Sequence, residues 1–142
     1  MFDRTYEQRL KDWTEFRTVL DHTVEDPLIL AIQKYKWAPT VSIHTDPWTR
    51  ETWPSPWELI EENTYCEFCK LLGICYTLQL TDKFSQAKFE IHIGIDDSKS
   101  ASYYLLFIDQ FIIGYLDDSY IHANDLPPSF RSQQVYSMHT LN

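Results

Sequence analysis

At 142 residues, 44% of them apolar or aromatic, the chain has the size of one domain with an ample core. Its 12 basic and 21 acidic residues set a net charge of −9, which argues against nucleic acid, a ligand held by cations that displace counterions, and favours a basic protein as partner. Three glycines leave no glycine-rich phosphate cradle, and neither a membrane-spanning apolar run nor an early apolar leader is present, so the chain is expected to be made in the cytoplasm.

Phe2, Tyr6, Leu10, Trp13, Phe16 and Leu20 recur at three- and four-residue spacing and predict a helix over 3–20. Asp26-Pro27 is an N-cap followed by proline at the first helical position, and predicts a second helix through Leu28, Ile29, Ile32 and Tyr35, ending before Pro39. Residues 41–44 are expected as a short strand. The proline- and tryptophan-rich segment 45–57 reads as a long connection. Its rings either cover the core beneath it or bind an extended peptide or a sugar.

Ser55…Glu58 and Thr64…Glu67 both have the spacing of a capping box. They predict a short helix over 56–62 and a second from Tyr65 to about Thr81. The second would carry Phe68, Leu71, Leu72, Cys75 and Leu78 on a buried stripe, with Cys66 in its first turn. Beyond Asp82 the period changes to two. Phe89, Ile91, Ile93 and Ile95 alternate with Glu90, His92 and Gly94, which marks a half-buried strand. A turn over 96–102, a doubly apolar strand over 103–109, a tight turn at Asp109-Gln110 and a third strand from Phe111 complete an antiparallel meander. The expected fold is α+β: N-terminal helices and a central capped helix on a three- to four-stranded antiparallel sheet, over residues 1–120. Residues 121–142, polar and broken at Pro127-Pro128, are expected as an extended arm. With Trp48 and Trp53, its Phe130, Tyr136 and Leu141 are candidate contacts to a partner chain.

The three cysteines are expected as reduced thiols. Cys66-x-x-Cys69 has the spacing of a zinc ligand pair, but no second pair follows, and neither a metal nor a cofactor is expected. Glu61-Glu62 and Asp117-Asp118 read as solvated edges. A thiol at a helix N-terminus can be held as the reactive thiolate. With His92 on a following strand and Asp109 after the next, residues 54–117 resemble the transglutaminase-like branch of the papain-like thiol folds. That resemblance implies Cys66 as nucleophile, His92 as base and Asp109 as the group that orients it. The chain departs from that pattern at Asn63-Thr64-Tyr65, where a glycine-containing approach would stand, and at Ile93-Gly94, where a small-aromatic pair would follow the histidine. Strand register adds that His92 should face Tyr104 or Leu105, leaving Asp109 about 13 Å further along.

The run WPSPWELIEENTYCEF (53–68) looks like small proteins of unassigned role from contractile-tailed phages of cyanobacteria, which implies a viral protein, made in the host cytoplasm and carried in the virion or acting free. The readings that follow are a non-enzymatic protein-interaction or assembly subunit of a phage neck, tail or baseplate; a cysteine-dependent amidase, peptidase or acyltransferase; and a small acidic effector that binds a host protein.

Overall fold

The structure is a computed structural model, and it describes residues 1–42 and 45–139. Four helices precede a five-stranded antiparallel sheet. They are α1 (Tyr6–His22), α2 (Pro27–Lys36), α3 (Pro56–Glu62) and α4 (Glu67–Gln79). The strands are β1 (Phe89–Asp96), β2 (Ala101–Ile108), β3 (Phe111–Ile113), β4 (Tyr120–His122) and β5 (Phe130–Met138), in the spatial order β4-β3-β2-β1-β5. Of the segment expected as a strand over 41–44, residues 43 and 44 lie outside the described residues; the backbone pairing beside it is a single parallel bridge between Thr40 and Tyr65.

The helix starts follow local chemistry. Thr5 and Gln8 form a complete capping box at α1, and Ser55 and Glu58 form one at α3, where Pro56 occupies the first helical position. Asp26 caps α2 through Leu28 N–H at 2.9 Å. The box expected at Thr64 does not form. Asn63 ends α3 in the left-handed region at φ 53°, which asparagine tolerates better than most residues. Tyr65 is then held extended: its N–H donates to Pro39 O at 2.9 Å, and its carbonyl accepts from Val41 N–H at 3.1 Å. A helix cannot begin while that residue is paired, so α4 starts at Glu67 with Cys66 as N-cap, φ −76° and ψ 171°.

Eleven of the thirteen residues of α4 are buried, which makes it the central helix rather than an amphipathic cover. Its Gly73 is needed for contact with α2, because a Cβ there would sit 2.3 Å from the Tyr35 ring. Thr77, one turn later, is a buried polar node. It donates to Gly73 O at 2.7 Å, and it meets Trp13 Nε1–H at 2.9 Å and the Tyr35 hydroxyl at 3.0 Å. Arg9 joins α1 to the end of α3 by donating to Ile60 O and Glu61 O, both at 3.0 Å, so its charge meets the free carbonyls of a helix C-terminus.

The segment expected to leave the domain as an arm returns to it. Phe130–Met138 pairs antiparallel with β1 along its whole length, and Tyr136 and Met138 pack against the core. Alternating apolar burial does not mark this strand, because it lies at an edge and most of its side chains are exposed. That is why its sequence reads as a polar tail. The sheet therefore has five strands where three or four were expected: β1 to β4 form the meander, and β5 crosses back to pair beside β1. The β1–β2 register sets His92 opposite Leu105 and Ile93 opposite Tyr104. Ile91, Leu106 and Tyr104 lie on the helix side. Leu105 and Ile112 lie on the other side, outside the helix-packed cluster, yet both are 0% exposed. On this second face Ser129 Oγ donates to Asp96 Oδ1 at 2.7 Å, and the Phe130 ring lies over Gly94.

Candidate functional site

The start of α4, the connection over 45–53 and strand β2 together enclose a cleft of about 1000 Å³. Its described lining includes Val41, Thr45, Trp48, Cys66, Phe68 and Tyr104. Asp46 organises the connection. Its carboxylate accepts from Trp48 N–H at 2.9 Å and from the Thr49 hydroxyl at 2.7 Å, which holds it charged and its pKa below the ordinary value. The resulting turn leaves Trp48 53% exposed at the rim. Trp53 turns the other way. Its Nε1–H donates to Asp46 O, and its ring packs on Phe68 and Tyr136 with centroids 4.9 and 4.8 Å away. Arg50 donates to Ser137 O at 2.8 Å and the Tyr136 hydroxyl to Trp48 O at 3.2 Å, so the connection is fastened to β5.

Glu67, Lys70 and Tyr104 line both this cleft and a neighbouring one of about 690 Å³, which extends past Ile74 to Leu116, Asp117 and Asp118. The two form one groove along α4. Leu116, 45% exposed, is the apolar group at its far end, where Asp118 pairs with Lys36 at 2.7 Å. Burial pushes the Tyr104 phenol above its ordinary value, and Glu67, Cys66 and Asp46 add to the shift, so the phenol remains a neutral donor facing acidic groups.

The residues implied by the thiol-fold resemblance are not brought together. Cys66 is 5% exposed at the start of α4, on the face of the sheet that carries Tyr104. His92 points to the opposite face with its partner Leu105, so the sheet lies between thiol and imidazole. Asp109 closes the β2–β3 turn: its Oδ1 accepts from Lys88 N–H and its own N–H donates to Lys88 O, each at 2.9 Å. It lies four residues beyond the partner of His92, as register arithmetic requires. The thiols form no disulfide. Burial pushes Cys69 up to about 12 and raises Cys75 as well, so both stay protonated at neutral pH. Cys69 instead donates to Thr45 Oγ1 at 3.2 Å.

His92 has other neighbours. Its Nδ1 is 2.7 Å from Ser132 Oγ on β5, its Nε2 is 3.3 Å from Glu90 Oε1, and its ring stacks on Phe107 at 3.9 Å. No group of three or more His, Cys, Asp or Glu that could hold a metal stands together among the described residues. No helix there is long and apolar enough to cross a membrane.

Of the expected partner contacts, Trp48 is exposed at the groove. Trp53, Phe130 and Tyr136 are engaged within the chain, and Leu141 lies outside the described residues. Sequence reasoning missed Val41, Tyr104 and Leu116 as groove residues. They come from three separate segments, and no spacing in the chain links them. No family model matches the chain, and no curated protein matches its sequence.

Proposed function

We propose that the chain is a protein-binding subunit which receives an extended basic segment of a partner in the groove along α4. The observation that carries this reading is the groove itself, open from Trp48 to Leu116 and bordered by Asp46, Glu67, Asp117 and Asp118. Lys70 and Lys36 are its cations; Lys36 and Asp118 neutralise each other, which leaves Asp46, Glu67 and Asp117 against Lys70. Tryptophan is among the residues enriched at interface hot spots, where truncation costs about 2 kcal/mol or more, and Trp48 stands exposed beside a concave apolar floor. The acidic border selects a cationic ligand and speeds its encounter. The resemblance of residues 53–68 to phage proteins supports a particle protein as the partner, with a host protein as the second candidate.

The test places a photo-crosslinking amino acid at position 48 or at position 116 in cells that make the protein naturally. One polypeptide crosslinked from both positions, and lost in Glu67→Lys, is the expected result. No adduct from either position, or an adduct indifferent to Glu67→Lys and to added salt, would remove the groove as the binding surface.

A further inference from the structure

The environment of His92 contains a hydroxyl and a carboxylate in an arrangement that the binding role does not use. Between Ile93 and Gly94 the β1–β5 register shifts. A regular ladder continuing from Ile93↔Gln134 would set Gly94 opposite Gln133. The bulge sets it opposite Ser132 and so turns the serine side chain onto the face that carries His92. Ser132 is exposed, whereas the His92 side chain is 13% exposed and held flat against Phe107.

The tautomer follows from the partners. A carboxylate can only accept, so His92 Nε2 carries the proton toward Glu90, and Nδ1 is left to accept the Ser132 hydroxyl at 2.7 Å. These are the contacts of an activated nucleophile: hydroxyl on base, base on an orienting acid. β5 pairs on one side only, so amide N–H groups of its outer edge are the donors available to an oxyanion next to Ser132. Val135, opposite His92 and 45% exposed, is the apolar surface beside the hydroxyl.

We propose that Ser132, His92 and Glu90 form a nucleophilic site that takes an acyl group from small activated esters. Ser132 Oγ bonds to the carbonyl carbon while its proton passes to His92 Nδ1. The imidazolium so formed is held by Glu90. The C–O bond to the leaving group then breaks, and the alkoxide takes the proton from Nδ1. Water repeats both steps on the acyl-serine, releasing the carboxylic acid and restoring the hydroxyl. The open surface suits short acyl groups. The groups facing the imidazole are Glu90 on β1, Lys88 just before that strand, and Ser132 on β5; burial, the largest influence, moves its pKa below the ordinary histidine value, so the base is already neutral at pH 7.

The full chain is treated with a fluorophosphonate probe, the modified peptide is mapped, and p-nitrophenyl acetate hydrolysis is followed in parallel. The phosphonate is expected on Ser132. Ser132→Ala and His92→Gln are each expected to lower labelling at position 132 and ester turnover at least tenfold. Glu90→Gln is expected to lower turnover severalfold and to move the acid limb of its pH profile. Ser132→Ala removes only an exposed hydroxyl, and an unchanged circular dichroism spectrum certifies its fold. Absence of label from Ser132, or turnover equal in Ser132→Ala and the parent, overturns the assignment. The site lies across the sheet from the groove, so either result leaves the binding proposal to its own test.

Discussion

Replacing Thr77 by valine keeps the shape of the side chain and removes the node that joins α1, α2 and α4. The threonine hydroxyl has one proton and two lone pairs. The proton goes to Gly73 O, so the two lone pairs accept from Trp13 Nε1–H and from the Tyr35 hydroxyl. All three side chains of the node are buried: Trp13 is 2%, Tyr35 1% and Thr77 0% exposed. Valine would strand two donors with no water in reach. An unsatisfied buried donor costs about 1–3 kcal/mol, so two cost roughly 2–6 kcal/mol, and with about 1 kcal/mol regained from burying a methyl in place of a hydroxyl Thr77→Val should lose roughly 1–5 kcal/mol. In urea unfolding this reads as a lower midpoint at unchanged slope, and in a thermal scan as a fall of roughly 5–15 °C. The double variant Tyr35→Phe with Thr77→Val should cost less than the sum of the two single changes, because the phenylalanine takes away one of the stranded donors. A loss below about 1 kcal/mol for Thr77→Val, or strict additivity with Tyr35→Phe, would show that the node contributes nothing to joining the helices.

Asp96 is fully enclosed, and its Oδ1 accepts from Ser129 Oγ, Ser98 Oγ and Ser98 N–H. These bonds lower its pKa in the folded state, so the stability it contributes is present above the unfolded carboxylate pKa near 4 and is lost as pH falls through the lower folded value; Asp96→Asn should flatten the acid limb of a stability–pH curve measured between about pH 5 and 2. Gly73→Ala gains about 1 kcal/mol of helix propensity but forces a methyl into the Tyr35 ring, and a net loss of about 1–2 kcal/mol in chemical denaturation is expected; a stabilised variant would mean that Tyr35 moves aside freely. Truncation after Ser129 should remove cooperative unfolding altogether, since it strips β5 from β1 and takes Tyr136 and Met138 from the core; a native-like near-ultraviolet spectrum of residues 1–129 would restore the arm as a separate element.

What the sequence determined by itself is local. Asp26-Pro27 and Ser55-Pro56-Trp57-Glu58 place helix starts because caps act within three residues. Alternation over 89–96 marks β1, and the turn position predicts His92 near Leu105, because strand register is arithmetic once the turn is known. Tertiary structure decided the rest. The spacing at Thr64 and Glu67 equals that at Ser55 and Glu58, yet Tyr65 is claimed by Pro39 and Val41, twenty-odd residues away, and the helix starts two residues late. Residues 130–138 carry a polar pattern because most of their side chains meet solvent, with Tyr136 and Met138 packing on the core; only pairing with β1 reveals them as sheet. The side of the sheet taken by His92 settles which groups it can reach. Cys66 before it and Asp109 after it stand in the order of a known fold, whereas the bulge, a one-residue shift without a mark in the local sequence, is what brings Ser132 to it. Order along a chain is read residue by residue, but which face and which neighbour a side chain meets depends on pairings between distant segments.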